Sequence, residues 1–357
     1  MGPWATYVLA SYGADVIKVE PPEGDIIRSA PPARHDKMGA VFLNESRGKR
    51  SVVLDLKAAE DRAKLMGLCA TADVFVHNVR RNAMARLGLT YEDVAAANPR
   101  IVYASLVGYG QTGPYADRPA YDDLMQGECG LASLFSLVGD EPPRYVPALI
   151  ADRYCGISAV NAILGALFHR ERTGEGQALE IPMFETMVEL VLSDHLGGHT
   201  FEPPAGPFGY QRVLTANRRP YATADGYICV LVYNDAQWER FFVLTGNTER
   251  AAADPKLATA DARRADYAYA YGTVAEILGT RTTAEWLDVL RAHDIPATPA
   301  NSLADVLRDP HLVATGFLST AEHPSEGTIR TVGVPTRWSK TQPQANAPAP
   351  RLGEHET

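Results

Sequence analysis

Four short runs rich in β-branched residues, ADVIKVE, SVVLDL, ADVFVHN and RIVYASL, recur between residues 14 and 106, with patterns of helical period between them. The intervening AAEDRAKLMGLCATA and TYEDVAAANP have the length of crossover helices in a right-handed parallel sheet. This alternation constrains the chain to an α/β fold more than any other feature. Residues 2–12, GPWATYVLASY, read as the first helix, so the chain opens on a helix where a doubly wound sheet ordinarily opens on a strand.

After the fourth run, LVGYGQTGPY places Gly108, Gly110 and Gly113 in the spacing of a dinucleotide-binding loop. That loop works only when a helix opens behind it, offering its N-terminus to a pyrophosphate, with an acid about 20 residues further on for the ribose. Pro114 follows at once, Pro119 comes soon after, and GLASLFSLV carries no Asp or Glu. A strand ending in a glycine-rich turn is the better reading, and NAD is not expected.

Further along, ISAVNAILGALFHRERTGEG repeats Ile157, Val160, Leu164 and Leu167 at helical spacing, carries His169, Arg170 and Arg172 near its end, and stops at Gly174. A buried helix is expected there. TFEPPAGPFGYQRVLT, residues 200–215, reads as a linker, and RPYATADGYICVLVYNDAQWERFFVLTG begins a smaller α+β unit ending near DIPATPANSL. The last 25 residues, with several prolines, read as an extended tail.

The 357 residues, 46% hydrophobic and 22% charged, suit a globular protein of at least two domains. A net charge of −9 and the lack of a basic stripe argue against nucleic acid as a partner. The four cysteines, at 69, 129, 155 and 229, are too scattered for a disulfide framework or a zinc site, which points to a reducing, cytoplasmic compartment. No apolar run has the length of a membrane span, and no secretory leader is read. MGPWAT fits the myristoylation pattern only formally. His195 and His199 stand four apart, but without a third ligand no metal is expected.

The order of the motifs resembles the family III CoA-transferases, the CaiB/BaiF group, which also includes carnitine-type CoA-transferases and 2-methylacyl-CoA racemases. The resembling stretches are GPWATYVLASYGADVIKVEPPEGD, FLNESRGKRSVVLDL, ADVFVHNVRRNAMARLGLTYEDVAAANPRIVYASLVGYGQTGPY, ALIADRYCGISAVNAILGALFHRERTGEGQALEIPMFET, TADGYI and IPATPANSLADVLRDPHL. They cover nearly the whole chain. The family's usual first strand ahead of GPWAT is missing, so any CoA contact made there is not carried over.

The resemblance implies a large Rossmann-like CoA-binding α/β domain over residues 1–200, a linker at 201–215, a small α+β domain at 216–300, and a linker and tail at 301–357 returning to the large domain. It also implies an interlocked homodimer. Its substrates are an acyl-CoA and a carboxylic acid, and CoA enters as a thioester substrate rather than as a bound cofactor.

Asp152, in ALIADRYCG, stands where the family places its catalytic aspartate. Read alone, an Asp ahead of an apolar helix is an N-cap. The same place offers backbone N–H groups to an oxyanion, so both readings share one geometry. In the racemase branch a histidine about 30 residues earlier serves as second base, but here Tyr121 occupies that place, and tyrosine, titrating at about 10, is a poor base at neutral pH. Transferase is therefore the leading reading, with racemase and a non-catalytic CoA-binding relative as alternatives. By the same resemblance Asn78 and Val79 face CoA, Arg86 and Arg28 take its phosphates or adenosine end, and Tyr109, Gln111 and Tyr121 line the acyl side. The acyl donor and the acceptor acid are not legible.

Overall fold

The structure, a computed structural model, describes residues 1–139, 141–343 and 347–356. The chain divides into two compact units: Met1–Gly130, Tyr145–Leu190 and Asp309–Thr357 form one, and Leu131–Arg144 with Val191–Arg308 the other.

The first unit begins with α1 (Gly2–Ser11), β1 (Val16–Glu20), α2 (Ala40–Glu45), β2 (Lys49–Val53), α3 (Ala59–Cys69) and β3 (Val74–His77). It continues through α4 (Arg81–Leu87), α5 (Tyr91–Ala97), β4 (Val102–Val107) and α6 (Asp122–Glu128). After α7 (Leu134–Val138), which belongs to the second unit, come α8 (Ile150–Thr173), β5 (Gln177–Pro182) and α9 (Met183–His195), the last of which belongs to the first unit only as far as Leu190. β1 pairs with β2 in parallel, and β3, β4 and β5 form a parallel sheet in that order.

The period of two along β4 explains its uninterrupted apolar sequence. Ala104 and Leu106 pack with Ala5 and Leu9 of α1 and Ala159 and Ile163 of α8. Tyr103 faces the opposite way, onto Leu65, Met84 and Val94 of α3, α4 and α5. Local signals set the helix ends: Thr90 and Asp93 form a reciprocal cap on α5, and Gly174 ends α8 in a left-handed conformation at φ 83°.

α8 is buried differently from the expected pattern. Its inner face consists of small residues, including Cys155, Gly156, Ala159 and Ala166, with Val160 and Ile163. A Cβ on Gly156 would sit 3.0 Å from Trp4 Cδ1, so α1 approaches closely. Ile157, Leu164 and Phe168 are left exposed.

In the second unit, β6 (Tyr221–Ala222), β7 (Tyr227–Val230) and β8 (Ala297–Pro299) make an antiparallel sheet in that order. Its helices are α10 (Asp235–Leu244), α11 (Thr248–Ala253), α12 (Ala260–Ala265), α13 (Tyr267–Leu278) and α14 (Thr283–Ala292), around a core with Trp238, Phe241, Phe242 and Trp286. α15 (Leu303–Val306) follows.

Two features depart from the expected linker and tail. After α16 (Pro310–Ala314), β9 (Leu318–His323) and β10 (Gly327–Val332) form an antiparallel hairpin whose strands are mostly exposed. The final segment is extended but pinned: His355 N–H donates to Ser51 O at 3.0 Å, Gly353 N–H donates to Ser51 Oγ at 3.0 Å, and Ala349 is buried. Backbone bonding to β2, rather than an apolar pattern of its own, holds it.

Candidate active site

α8 opens after Leu149, which has no side chain able to cap it. Asp152 is the third residue of the helix, inside the first turn, so it is not the N-cap. The cap comes instead from another helix. Asp122, the first residue of α6 and buried, accepts the Asp152 N–H on Oδ2 at 2.9 Å and an Nε2–H of Gln126 on Oδ1 at 2.7 Å. Acids in the first turns of α6 and α8 also suit the positive end of each helix dipole.

Gln126 has no exposed surface. Its Oε1 accepts the Val146 N–H at 2.8 Å, while Nε2 lies 3.4 Å from Val146 O and 3.3 Å from Ala148 O. α6 thereby holds both the loop entering α8 and the first turn that carries Asp152. Sequence reasoning passed over Asp122 and Gln126. The signal available was their four-residue spacing in YDDLMQ, immediately after Tyr121.

Beside Asp152, Arg153 pairs with Glu45 of α2 and lies over the Trp4 ring of α1 at 4.6 Å. The Asp152 side chain is 33% exposed. Its Oδ1 accepts from the α-amino group of Met1 at 2.6 Å, and Oδ2 has no hydrogen-bond partner among the described residues. The expected oxyanion amides are engaged: Ile150 N–H donates to Ala148 O at 2.7 Å, Arg153 N–H to Leu149 O at 3.0 Å, and the Asp152 N–H to Asp122. The turn therefore holds the carboxylate in place, and these three N–H groups are not offered to an oxyanion.

The glycine-rich turn is closed by hydrogen bonds of its own. Gly110 N–H donates to Glu185 Oε1 and Gln111 N–H to Glu180 Oε1, each at 2.9 Å, so carboxylates fill the place a pyrophosphate needs. Tyr109 is buried, with its hydroxyl donated to Glu128 Oε2 at 2.5 Å. Gln111 Nε2 donates to Tyr109 O at 2.8 Å. Both residues also bond within the loop itself. Burial, helped by Glu128, pushes the Tyr109 phenol up to about 12. Tyr121, the residue before α6, is 72% exposed and adjacent to Asp122.

Asn78, Val79 and Arg86 are exposed on the turn after β3 and in the last turn of α4. Asn82 Nδ2 donates to Asp117 Oδ1 at 3.0 Å, joining α4 to the loop that enters α6. Arg28 belongs elsewhere. It has no exposed surface, donates from Nε and Nη2 to Glu20 at 2.6 and 2.7 Å, and lies over the Phe42 ring at 3.8 Å. With its guanidinium enclosed, it offers nothing to a phosphate.

His199 stacks on Phe208 at 3.7 Å, and His195 Nδ1 lies 3.4 Å from the Tyr210 amide. Among the described residues no group of three or more His, Cys, Asp or Glu is arranged around a metal position. Cavities of about 360 and 650 Å³ border the β9–β10 hairpin and the segment after it, and none of the residues above lines either.

CoA-transferase family III matches residues 1–356. The chain belongs to this family. Among its CoA-transferase relatives is the succinate–glutarate CoA-transferase of Agrobacterium fabrum, 35% identical over 99% of this chain and 90% of the relative. The formyl-CoA:oxalate CoA-transferase of Streptomyces avermitilis is likewise 35% identical over 99% and 90%. A crystal structure of a CaiB/BaiF family protein from Brucella suis superposes with a TM-score of 0.81 at 31% identity, covering 99% of this chain and 93% of that one. The mixed α/β architecture of this family III chain matches that structure.

Proposed function

We propose that this protein exchanges CoA between an acyl-CoA and a free carboxylic acid, with Asp152 as the nucleophile. The observation that carries the reading is a single one: Asp152 presents a carboxylate oxygen without a hydrogen-bond partner among the described residues, from a helix turn that Asp122 and Gln126 hold from a distance. Asp152 Oδ2 attacks the thioester carbonyl, and the C–S bond breaks to give an acyl-aspartyl anhydride and CoA thiolate. The thiolate attacks the aspartyl carbonyl, releasing the first acid as its carboxylate and leaving an aspartyl-CoA thioester. The incoming carboxylate attacks that thioester, again expelling thiolate, which then takes the new acyl group. Each step conserves the acyl activation that hydrolysis would lose.

The larger unit is the proposed seat of CoA, as a Rossmann-like domain, with Asn78, Val79 and Arg86 as contacts and Tyr121 beside the acyl group. Relatives named for succinate, glutarate and oxalate all act on dicarboxylic acids, so these acids head the proposed acceptors. A homodimer fits the exposed Ile157, Leu164 and Phe168, which lie on one side of α8. No helix among the described residues is long and apolar enough to cross a membrane, in keeping with the proposed cytoplasmic location.

The test is one incubation in deuterated water with a panel of acyl-CoAs, including 2-methylacyl forms, and a panel of free acids. New CoA esters of the added acids, absent with Asp152→Ala, are expected. Deuterium entering a 2-methylacyl-CoA without any new ester would make the protein a racemase. CoA binding without either reaction would make it a non-catalytic relative.

A further inference from the structure

His77, the last residue of β3, uses both nitrogens of its ring. It is in register with Ser105 of β4, and Nε2 lies 2.9 Å from Ser105 Oγ. Nδ1 accepts the N–H of Val79 at 3.2 Å. A ring nitrogen that accepts an N–H carries no proton, so the proton is on Nε2 and is donated to the Ser105 hydroxyl. The ring packs beside Phe75 and Tyr103, with centroids 5.8 and 5.1 Å away, and burial pushes it down to about 4. At neutral pH it is an uncharged bracket between a strand and a turn.

The turn has little else to shape it. α4 begins after Arg80, which provides no side-chain cap, and Asn78, Val79 and Arg80 are exposed. In open parallel sheets, ligands are gripped by the turns beyond the carboxyl ends of the strands. Here that turn and the helix behind it carry Asn78, Val79 and Arg86.

We propose that His77 is a positioning residue for CoA: by accepting the Val79 N–H on Nδ1 it sets the turn through which Asn78, Val79 and α4 meet the thioester's CoA moiety. This rests on the CoA-transferase reading above. His77 touches no reacting atom and acts through the turn, so its loss weakens CoA binding and leaves the chemical step at Asp152 intact.

Three variants separate the two bonds. In His77→Asn the short side-chain oxygen still reaches an N–H two residues on, as Asn does in turns, but no longer reaches Ser105. His77→Gln reaches Ser105 and gives up the local bond, and His77→Phe gives up both. Titration calorimetry with free CoA reads the result. Kd is expected within about threefold of the parent for Asn and about tenfold weaker for Gln and Phe, the worth of one hydrogen bond. The KM for acyl-CoA follows the same order, while kcat and the KM for the acceptor acid stay within about threefold.

Gln and Phe variants that bind CoA like the parent, or that lose kcat alone, overturn the inference and leave the transferase reading standing. A parent protein that binds no CoA and exchanges none overturns both. The parent also provides a readout independent of variant folding. With ¹⁵N-labelled histidines, one ring must show an unprotonated Nδ1 at neutral pH, stay neutral at about pH 5.5, and shift when CoA is added. The opposite tautomer, a charged ring, or indifference to bound CoA contradicts the proposal.

Discussion

Asp122 Oδ2 accepts the backbone N–H of Asp152 at 2.9 Å across 30 residues of sequence, so the acid that caps α8 belongs to a different helix from the acid proposed to react. Asp122→Asn leaves one acceptor where two donors now point, and sets an amide N–H₂ against either Asp152 N–H or Gln126. The expected loss is about 1–3 kcal/mol of stability. Displacing the reacting carboxylate costs about 10–100-fold in kcat. Urea unfolding and steady-state kinetics on the same preparation check both.

Glu20 and Arg28 form a buried pair, and breaking it strands a charge. Glu20→Gln leaves Arg28 without its anion and is expected to cost about 3–5 kcal/mol, read by chemical denaturation. The pair also predicts a pH dependence. Glu20 is deeply buried, yet hydrogen bonds from Arg28 and Ser51 and the nearby Lys18 charge outweigh that desolvation and hold its carboxyl below the usual range. Its contribution is therefore complete above the unfolded glutamate value of about 4.3 and is lost as pH falls toward the lower folded value. The acid limb of the stability profile should flatten in Glu20→Gln.

Lys49 gives the opposite limb. Its ammonium is buried against Pro3 O at 2.8 Å, and burial pushes it down to about 7. Between that value and the unfolded lysine value of about 10.4, the unfolded chain binds more protons than the native one, so stability rises with pH over this window. Buried Cys69 and Cys155, whose thiols burial pushes up to about 11 and 12, act in the opposite sense above the unfolded cysteine value of about 8.5, so the check is a difference: between about pH 7 and 10, denaturation midpoints of the parent should gain on those of Lys49→Met as pH rises.

Gly108 is required by contact rather than by dihedral angle. A Cβ added there would lie 2.3 Å from Ala120 Cβ, and Phe184 N–H also donates to Gly108 O at 2.9 Å. Gly108→Ala must push Ala120 away, and with it Tyr121 and Asp122, at an expected cost of about 1–3 kcal/mol with a parallel fall in kcat. Thermal unfolding and the exchange assay measure the two effects.

The elements that sequence reveals well are those with one dominant local cause. β1 to β4 are short and β-branched, α8 stops at Gly174, and each stands where its pattern places it. What escapes is decided by partners distant in the chain. Nothing near Arg28 in sequence distinguishes it from a surface arginine, because its enclosure depends on Glu20, Phe42 and the carbonyl of Pro350. Asp122 likewise reads as an ordinary first-turn acid until α8 is seen against it. The β9–β10 hairpin is mostly exposed on both faces, so it lacks the alternation that marks a half-buried strand. The apolar period in α8 was legible, but not which residues face inward: Ala159 and Ala166 are buried, while Leu164 and Phe168 are exposed.

The central claim is that Asp152 carries CoA during turnover. The most direct measurement mixes the protein with an acyl-CoA in the absence of acceptor, quenches in acid, and weighs the intact chain and its peptides. An added CoA, joined with loss of water, is expected on the peptide containing Asp152, released by hydroxylamine and absent in Asp152→Ala. Sustained exchange with no such adduct, and with Asp152→Ala still active, would contradict it.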